Sequence, residues 1–323
     1  MKAIRQRSYG PPDVLQLVEI NAPEVDDDGV LVRVRAASIN VADWHFMRGL
    51  PFPVRMAEGL RRPRSSSVGY DVAGEVVAVG KNVRRLRAGD AVFGFQRGAW
   101  AEYVCGRESS FVPKPVRLTF EQAAAVGVAG CTALQGLRDG GHVGPGQRTL
   151  INGATGGVGT FAVQIAKALG AHVTAVCSTT NVDLVRSLGA DEVIDYTTDD
   201  FTRGAKRYDV VLDVACSRSL AASRRILAPA GTLVMIGAPG DGRAISPILA
   251  RLLVAVAWSR LSSRKLRPLL AKVNNADLVV LRELIDAGTV TPFVDRTYPL
   301  QQTAAAVGYV EQGHARGKVV ITV

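Results

Sequence analysis

One octapeptide limits what this chain can fold into more than any other feature: Asn152-Gly153-Ala154-Thr155-Gly156-Gly157-Val158-Gly159. It stands where a short apolar run, Thr149-Leu150-Ile151-Asn152, gives way to a helical pattern from Gly156 to Leu169 that Gly170 closes. A strand that hands over to a helix through glycines opens a β-α-β unit. In such a turn Gly156 lets the backbone approach a pyrophosphate, and Gly159 removes a side chain where helix and strand pack closely. The free amides and positive dipole end of the helix then face the phosphates. Ala154 replaces the first glycine of the usual fingerprint, with Gly153 just before it. No Gly-Lys-Ser/Thr follows, which argues against a nucleoside-triphosphate loop. The turn, from Gly153 through Ala154, Thr155, Gly156, Gly157 and Val158 to Gly159, is therefore expected to bind a dinucleotide. The alternative is a tight turn with no ligand.

The surrounding pattern supports the first reading. After the helix come a strand at His172–Cys177, a helix at Asn181–Leu188, and strands at Glu192–Tyr196 and Asp209–Val214. A helix at Ser219–Leu227, a strand at Thr232–Ile236, a helix over Pro247–Leu261 and a sixth strand over Leu266–Val273 complete the series. Strands alternating with helices predict a parallel sheet covered on both faces. The first third reads differently. Leu31–Ala36 alternates with period two, Asp71–Val79 is strand-like, and Ala91–Phe93 and Ala101–Val104 are short strands set off by glycine turns. These features predict a partly closed β barrel. Pro51–Ser67 reads as a long loop, and Glu121–Leu137 as one Ala-rich helix. Beyond residue 273 the tail offers helices at Ala276–Ala287 and Leu300–Gln312 and strands near Val290–Val294 and Lys318–Val323. The fold class is thus α/β, with a nucleotide-binding domain at 124–272 inserted in a β-rich domain made of 1–123 and 273–323.

Composition narrows the function classes. Thirty-nine Lys and Arg against 29 Asp and Glu give a formal charge of +10. The basic residues are scattered, without aromatic interleaving, which speaks for a phosphate-bearing small ligand rather than nucleic acid. Cys105, Cys131, Cys177 and Cys216 form no CxxC pair and read as buried thiols of a reducing compartment. The N-terminus lacks a signal-peptide core, and no apolar run is long enough for a membrane span, so a cytoplasmic location is expected.

The end of the second strand of the nucleotide-binding domain bears on which dinucleotide is bound. Domains that bind NAD usually place Asp or Glu there to hold the ribose hydroxyls. Here the residues are Cys177-Ser178-Thr179-Thr180-Asn181, with no acid. The hydroxyls and the Asn181 amide suit a 2′-phosphate, with Arg186 in the following helix as a further candidate. Simple helix capping by Ser178 and Thr179 is the alternative. NADPH is the expected cofactor.

With these segments in view, the chain resembles the zinc-independent, quinone-oxidoreductase-like branch of the medium-chain dehydrogenase/reductase superfamily. The resemblance rests on Ala37–Asp43, Gly69–Val76, Gly89–Gly94, Gly98–Val104, Gly130–Leu134, the 152–159 turn and Gly313–Val320. It implies a GroES-like catalytic domain carrying an inserted Rossmann domain, a nicotinamide held in the cleft between domains, NADPH as the usual cofactor, and commonly a homodimer. It also implies that no metal is used. Gly69-Tyr70-Asp71 stands where zinc-dependent relatives keep Gly-His-Glu, and no cysteine lies near Ile39-Asn40. The clustered cysteines of their structural zinc segment are missing, and His45, His142, His172 and His314 are widely spaced.

For chemistry, the resemblance places Asn40 beside nicotinamide and substrate, as a positioning donor to an oxygen that gains charge. Tyr70 is a second candidate, able to donate or relay a proton. Asp43 is expected to orient neighbours or bind the nicotinamide ribose. Thr132, Tyr196, Ile236 and Gly237 match positions that contact the cofactor in the family, and Lys318 sits either near the cleft or at the surface. The expected reaction is hydride transfer to a quinone or to the C=C bond of an α,β-unsaturated carbonyl compound, with a small apolar substrate pocket near Trp44-His45-Phe46. Two other readings stay open: a zinc-less alcohol dehydrogenase-like carbonyl reductase, and a non-catalytic NADPH-binding protein.

Overall fold

The computed structural model describes residues 1–237, Ala250, Val254 and 263–323. Apart from those two single positions, the helix expected over Pro247–Leu261 lies outside the described residues. The chain divides into two compact units, Met1–Cys131 with Val273–Gly288 and Pro292–Val323, and Thr132–Lys272 with Thr289–Thr291. The first junction falls at Cys131/Thr132 rather than at 123/124, because the segment to Val128 is tied to Asp71 of the first unit.

In the first unit β1 (Lys2–Gln6) pairs antiparallel with β2 (Leu15–Glu19). The larger sheet is built on β3 (Gly29–Ile39). Its first half alternates, with Val32 and Val34 buried and Arg33 and Arg35 exposed, whereas Ala36 to Ile39 are all buried. Alternation is the mark of a strand covered on one face, and its loss marks cover on both. β4 (Asp71–Val79) and β5 (Ala91–Phe95) follow. β6 (Tyr103–Arg107) starts two residues later than the strand read from the sequence, and β7 (Phe111–Pro113) completes this stretch. Phe93, Trp100 and Phe111 are among the largest fully buried side chains. Each contributes roughly 1.5–3 kcal/mol of transfer free energy.

The second unit holds β8 (Arg148–Asn152), β9 (His172–Cys177), β10 (Glu192–Asp195), β11 (Tyr208–Asp213), β12 (Leu227–Met235) and β13 (Lys265–Pro268). Their order is β10-β9-β8-β11-β12-β13 and every pairing is parallel. This is the doubly wound arrangement, whose order reverses between β8 and β11. β13 stops at Pro268 and does not extend to Val273 as expected. The chain then returns to its first unit. β14 (Val294–Pro299) and β15 (Lys318–Thr322) extend the larger sheet, in the order β14-β15-β3-β4-β5-β7 with β6 also on β3. The strand expected near Val290–Val294 begins only at Val294, since the Thr291 amide donates to Gln164 and Pro292 has no N–H to give.

Two further expectations are corrected. Pro51–Ser67 contains a short helix, Pro53–Glu58. The helix read over Glu121–Leu137 is broken into Phe120–Ala124, Gly127–Gln135 and a π-helical turn at Gly136–Gly141. The break has a cause: a Cβ on Gly127 would lie 2.3 Å from Asp71 Oδ1, and the Val128 N–H donates to that oxygen at 2.9 Å. The helix restarts where only glycine fits and where its first amides have a buried carboxylate to satisfy.

Candidate active site

In the first unit, β3, β4 and β15 bring residues far apart in sequence to one point. Asn40 follows β3 as the N-cap of the helix Val41–Arg48, Asp71 opens β4, and Lys318 opens β15. Lys318 is 3% exposed and Asp71 0%. The Lys318 ammonium donates to Asn40 Oδ1 at 2.6 Å and to the Ile39 carbonyl at 3.0 Å, and lies 3.4 Å from Asp71 Oδ2. Asp71 Oδ2 also accepts from Ser38 Oγ and Asn40 Nδ2, each at 3.0 Å. A buried ion pair is tolerated when its remaining hydrogen-bonding capacity is filled in this way.

This geometry alters three expectations. Lys318 is not at the surface: it is buried, and its ammonium is held by Ile39, Asn40 and Asp71 inside the unit. The Asn40 amide is fixed in one orientation, since only its oxygen can face an ammonium, and one N–H of Nδ2 is committed to Asp71. Asp43 is 6% exposed and its carboxylate accepts the Asn40 backbone N–H at 2.6 Å, so it organises the start of the helix Val41–Arg48. Of the two roles expected for it, this bond is of the orienting kind. Burial, with help from the Asp71 charge, pushes the Asp43 carboxyl up to about 7, against the Asn40 amide and the Lys318 charge. Lys318 and Asp71 already balance one another, so a second buried carboxylate is in excess and tends to keep its proton. Burial also pulls the Lys318 ammonium below its ordinary value, with Asp71 and Asp43 opposing.

Asp43, Phe46, Tyr70, Glu58 and Arg97 share the lining of a cavity of ≈ 20 Å³, about the room for one water molecule. Tyr70 is stacked on Phe95, with ring centroids 5.0 Å apart. Its phenol oxygen accepts from Arg97 Nε at 2.8 Å, and Arg97 is paired in turn with Glu58. Accepting from Arg97 leaves the phenol its own proton to donate. Burial raises the Tyr70 pKa above its usual value, although the neighbouring Arg97 charge opposes it. His45 contacts the Leu50 carbonyl at 2.9 Å and stacks on Trp44. Among the described residues no group of three or more His, Cys, Asp or Glu is placed to hold a metal ion, and no helix is long and apolar enough to cross a membrane.

In the second unit the glycine-rich turn lies at the carboxyl end of β8, beside the reversal in strand order. Gly153 has φ 87° and Gly156 is the N-cap of the helix Gly157–Ala168, with no side chain to cap its first amides. A Cβ on Gly159 would meet the Gly153 oxygen at 2.1 Å and Ala154 Cα at 2.7 Å, whereas one on Gly156 would find nothing nearer than 3.8 Å. Gly159 thus closes the helix onto the turn, and among the described residues Gly156 leaves room before the first amides of the helix, which no side chain caps. That cradle fits a pyrophosphate. Asn152 donates to Asp213 Oδ1 at 2.7 Å and ties the ends of β8 and β11 together. Ile236 and Gly237 follow β12, and a Cβ on Gly237 would lie 2.1 Å from the Val214 oxygen. Thr132, 7% exposed, lies in the helix Gly127–Gln135.

The loop after β9 is where the structure departs most from the sequence reading. Ser178 makes no side-chain cap; its Oγ accepts from Asn181 Nδ2 at 2.9 Å. The Thr179 hydroxyl, expected to serve a phosphate, donates to Asp195 Oδ2 at 2.5 Å. Asp195 ends β10 in register with Cys177, so an acid of the next strand stands beside the end of β9. Tyr196, half exposed, gives its backbone N–H to the Cys177 carbonyl, and Arg186 lies 3.9 Å from Asp183. The residues missed from sequence are Asp71, Gly127, Arg97 and Asp195. Asp71 left one signal, a carboxylate directly ahead of the apolar Val72-Ala73.

A doubly wound parallel sheet with an open phosphate cradle, carried by a chain whose other unit is a β-rich sheet around a buried ion pair, defines a dinucleotide-binding protein of the dehydrogenase type. Comparisons with known proteins agree. Residues 26–116 match the alcohol dehydrogenase GroES-like domain family and residues 188–321 the zinc-binding dehydrogenase family. The quinone-oxidoreductase homolog of Spinacia oleracea is 34% identical over 99% of this chain and 98% of its own length. The NADPH-dependent alkenal/one oxidoreductase of Arabidopsis thaliana is 33% identical over 99% of this chain and 79% of its own. The structure of Escherichia coli quinone oxidoreductase complexed with NADPH superposes with a TM-score of 0.84 at 26% identity, covering 100% of both chains. The chain belongs to the zinc-independent, quinone-oxidoreductase-like branch of the medium-chain dehydrogenase/reductase superfamily.

Proposed function

We propose that this protein is a reductase that uses NADPH to reduce a quinone or the C=C bond of an α,β-unsaturated carbonyl compound without a metal. The observation that carries the reading is the open cradle at Gly156, at the strand-order reversal of a sheet whose relatives include a quinone oxidoreductase bound to NADPH and an alkenal/one oxidoreductase. Residues 153–159 and the amides of the helix Gly157–Ala168 would hold the pyrophosphate, and NADPH when bound supplies the hydride.

The chain's own residues supply the rest. Negative charge that develops on the substrate oxygen needs donors. Asn40 has a second Nδ2 hydrogen beyond the one given to Asp71, and the Tyr70 phenol has its proton to donate. Lys318 and Asp71 hold the Asn40 amide in that orientation. Asp43, near half-protonated at neutral pH and sharing a water-sized cavity with Tyr70, restores the proton that the reduced product requires. The experiment is a turnover panel of quinones, enones and saturated ketones with NADPH and with NADH, with and without chelator. The proposal expects NADPH consumption with quinones or enones and no effect of chelator. Reduction confined to saturated carbonyls would move the protein to the carbonyl-reductase reading, and tight NADPH binding without turnover would make it a binding protein.

A further inference from the structure

The adenosine end of the second unit contains a charge that the reading of an NADPH site does not use. β9 and β10 run parallel with Asp195 opposite Cys177. The Asp195 side chain reaches across to the loop after β9, where Oδ2 accepts the Thr179 hydroxyl at 2.5 Å. Its Oδ1 accepts the Thr197 N–H at 2.9 Å and the Thr197 hydroxyl at 2.7 Å. Thr179 Oγ1 also lies 2.8 Å from Thr197 Oγ1. These bonds, the one from Thr179 foremost, hold the carboxyl below its ordinary value, so it is charged at neutral pH. In a doubly wound domain, an acid at the end of the second strand receives the ribose hydroxyls, and a 2′-phosphate needs donors and positive charge at the same place. Two of the loop's donor groups are already engaged, while the Ser178 and Thr180 hydroxyls share one contact of 3.4 Å. The Thr179 proton is given to Asp195, Asn181 Nδ2 is given to Ser178, and Asn181 Oδ1 is a buried acceptor without a partner. The nearby Arg186 is 3.9 Å from Asp183.

We infer that Asp195, acting through Thr179, sets the cofactor discrimination of this protein: it takes the proton that Thr179 would give a 2′-phosphate and favours a ribose hydroxyl, so that NADH is bound alongside NADPH. The inference rests on dinucleotide binding but not on turnover. It limits the preference for NADPH to a modest one, of about tenfold or less, the scale of one surface charge against a phosphate.

The test is calorimetric titration of the full chain with NADPH and with NADH. In Asp195→Asn the charge is removed and the amide donates to Thr179, which turns the Thr179 proton outward. The ratio of NADH to NADPH dissociation constants is expected to rise about tenfold, mainly through tighter NADPH binding. In a Thr179→Val background the same change is expected to give a smaller rise, because its hydrogen-bonding part is gone. A thermal melt controls for a structural effect, which would weaken both cofactors equally. An unchanged ratio in Asp195→Asn, or a shift toward NADH, overturns the inference. Absence of turnover in the acceptor panel would defeat the proposed activity and leave these binding ratios measurable.

Discussion

The two functional clusters of this protein are built by opposite means. In the first unit, a cation and two carboxylates are buried together, drawn from residues 40, 43, 71 and 318. In the second, the cradle is main chain, contiguous from Gly153 to Gly159, and among the described residues nothing crowds Gly156 and no side chain caps the helix. The first depends on electrostatic neutrality inside a low-dielectric core, the second on the absence of side chains. Substitutions in the first should therefore act on stability and on pH dependence. Substitutions in the second should divide into those that harm the fold and those that harm binding alone.

The largest effect is expected from Lys318→Met, which strands the Asp71 carboxylate without its cation. Breaking a buried pair from one side costs about 3–5 kcal/mol. Urea denaturation should show that loss, and adding Asp71→Asn should recover a substantial part of it. Equal losses in the single and double variants would mean that packing, and not charge, governs this cluster.

Asp43 comes next, and its sign can be worked out. Its folded value of about 7 lies above the ordinary aspartate value. Between roughly pH 4 and pH 7 the native state therefore holds a proton that the unfolded chain lacks, so stability falls as pH rises through that window and levels off above it. Asp43→Asn keeps an acceptor for the Asn40 N–H but does not titrate. Relative to the wild type it should gain a few kcal/mol between about pH 4 and pH 8, as an order of magnitude. Parallel denaturation curves at the two pH values would refute the buried-carboxylate account.

The smallest effects sharpen the contrast within the cradle. Gly159→Ala places a Cβ against the Gly153 oxygen and should cost about 1–3 kcal/mol of stability. Gly156→Ala meets no neighbour within 3.8 Å and should leave stability within about 0.5 kcal/mol while weakening NADPH binding. Melting curves paired with titrations separate the two. If both variants lost only binding, the division of roles between the two glycines would be wrong.

The same contrast explains what the sequence disclosed. The cradle was legible because its chemistry is contiguous: a strand, spaced glycines and a helix are a pattern in one window, and Gly159 sits where that pattern requires close packing. The parallel sheet was legible through alternating strands and helices. The buried cluster was not, since nothing in the spacing of Asn40, Asp71 and Lys318 announces that β3, β4 and β15 are neighbours. The broken helix at Gly127 was hidden for the same reason, its cause being a carboxylate that lies 56 positions earlier in the chain and touches it only after folding. Asp195 is not legible from the end of β9 alone, because only the sheet sets the end of β10 beside it.

The most direct measurement follows the hydride itself. With NADPH deuterated at nicotinamide C4 on the transferred face and an enone acceptor, mass spectrometry of the product should find one deuterium at the β-carbon, with product formed in step with NADPH consumed. Product without deuterium, or no consumption of NADPH with any enone or quinone, would contradict the account.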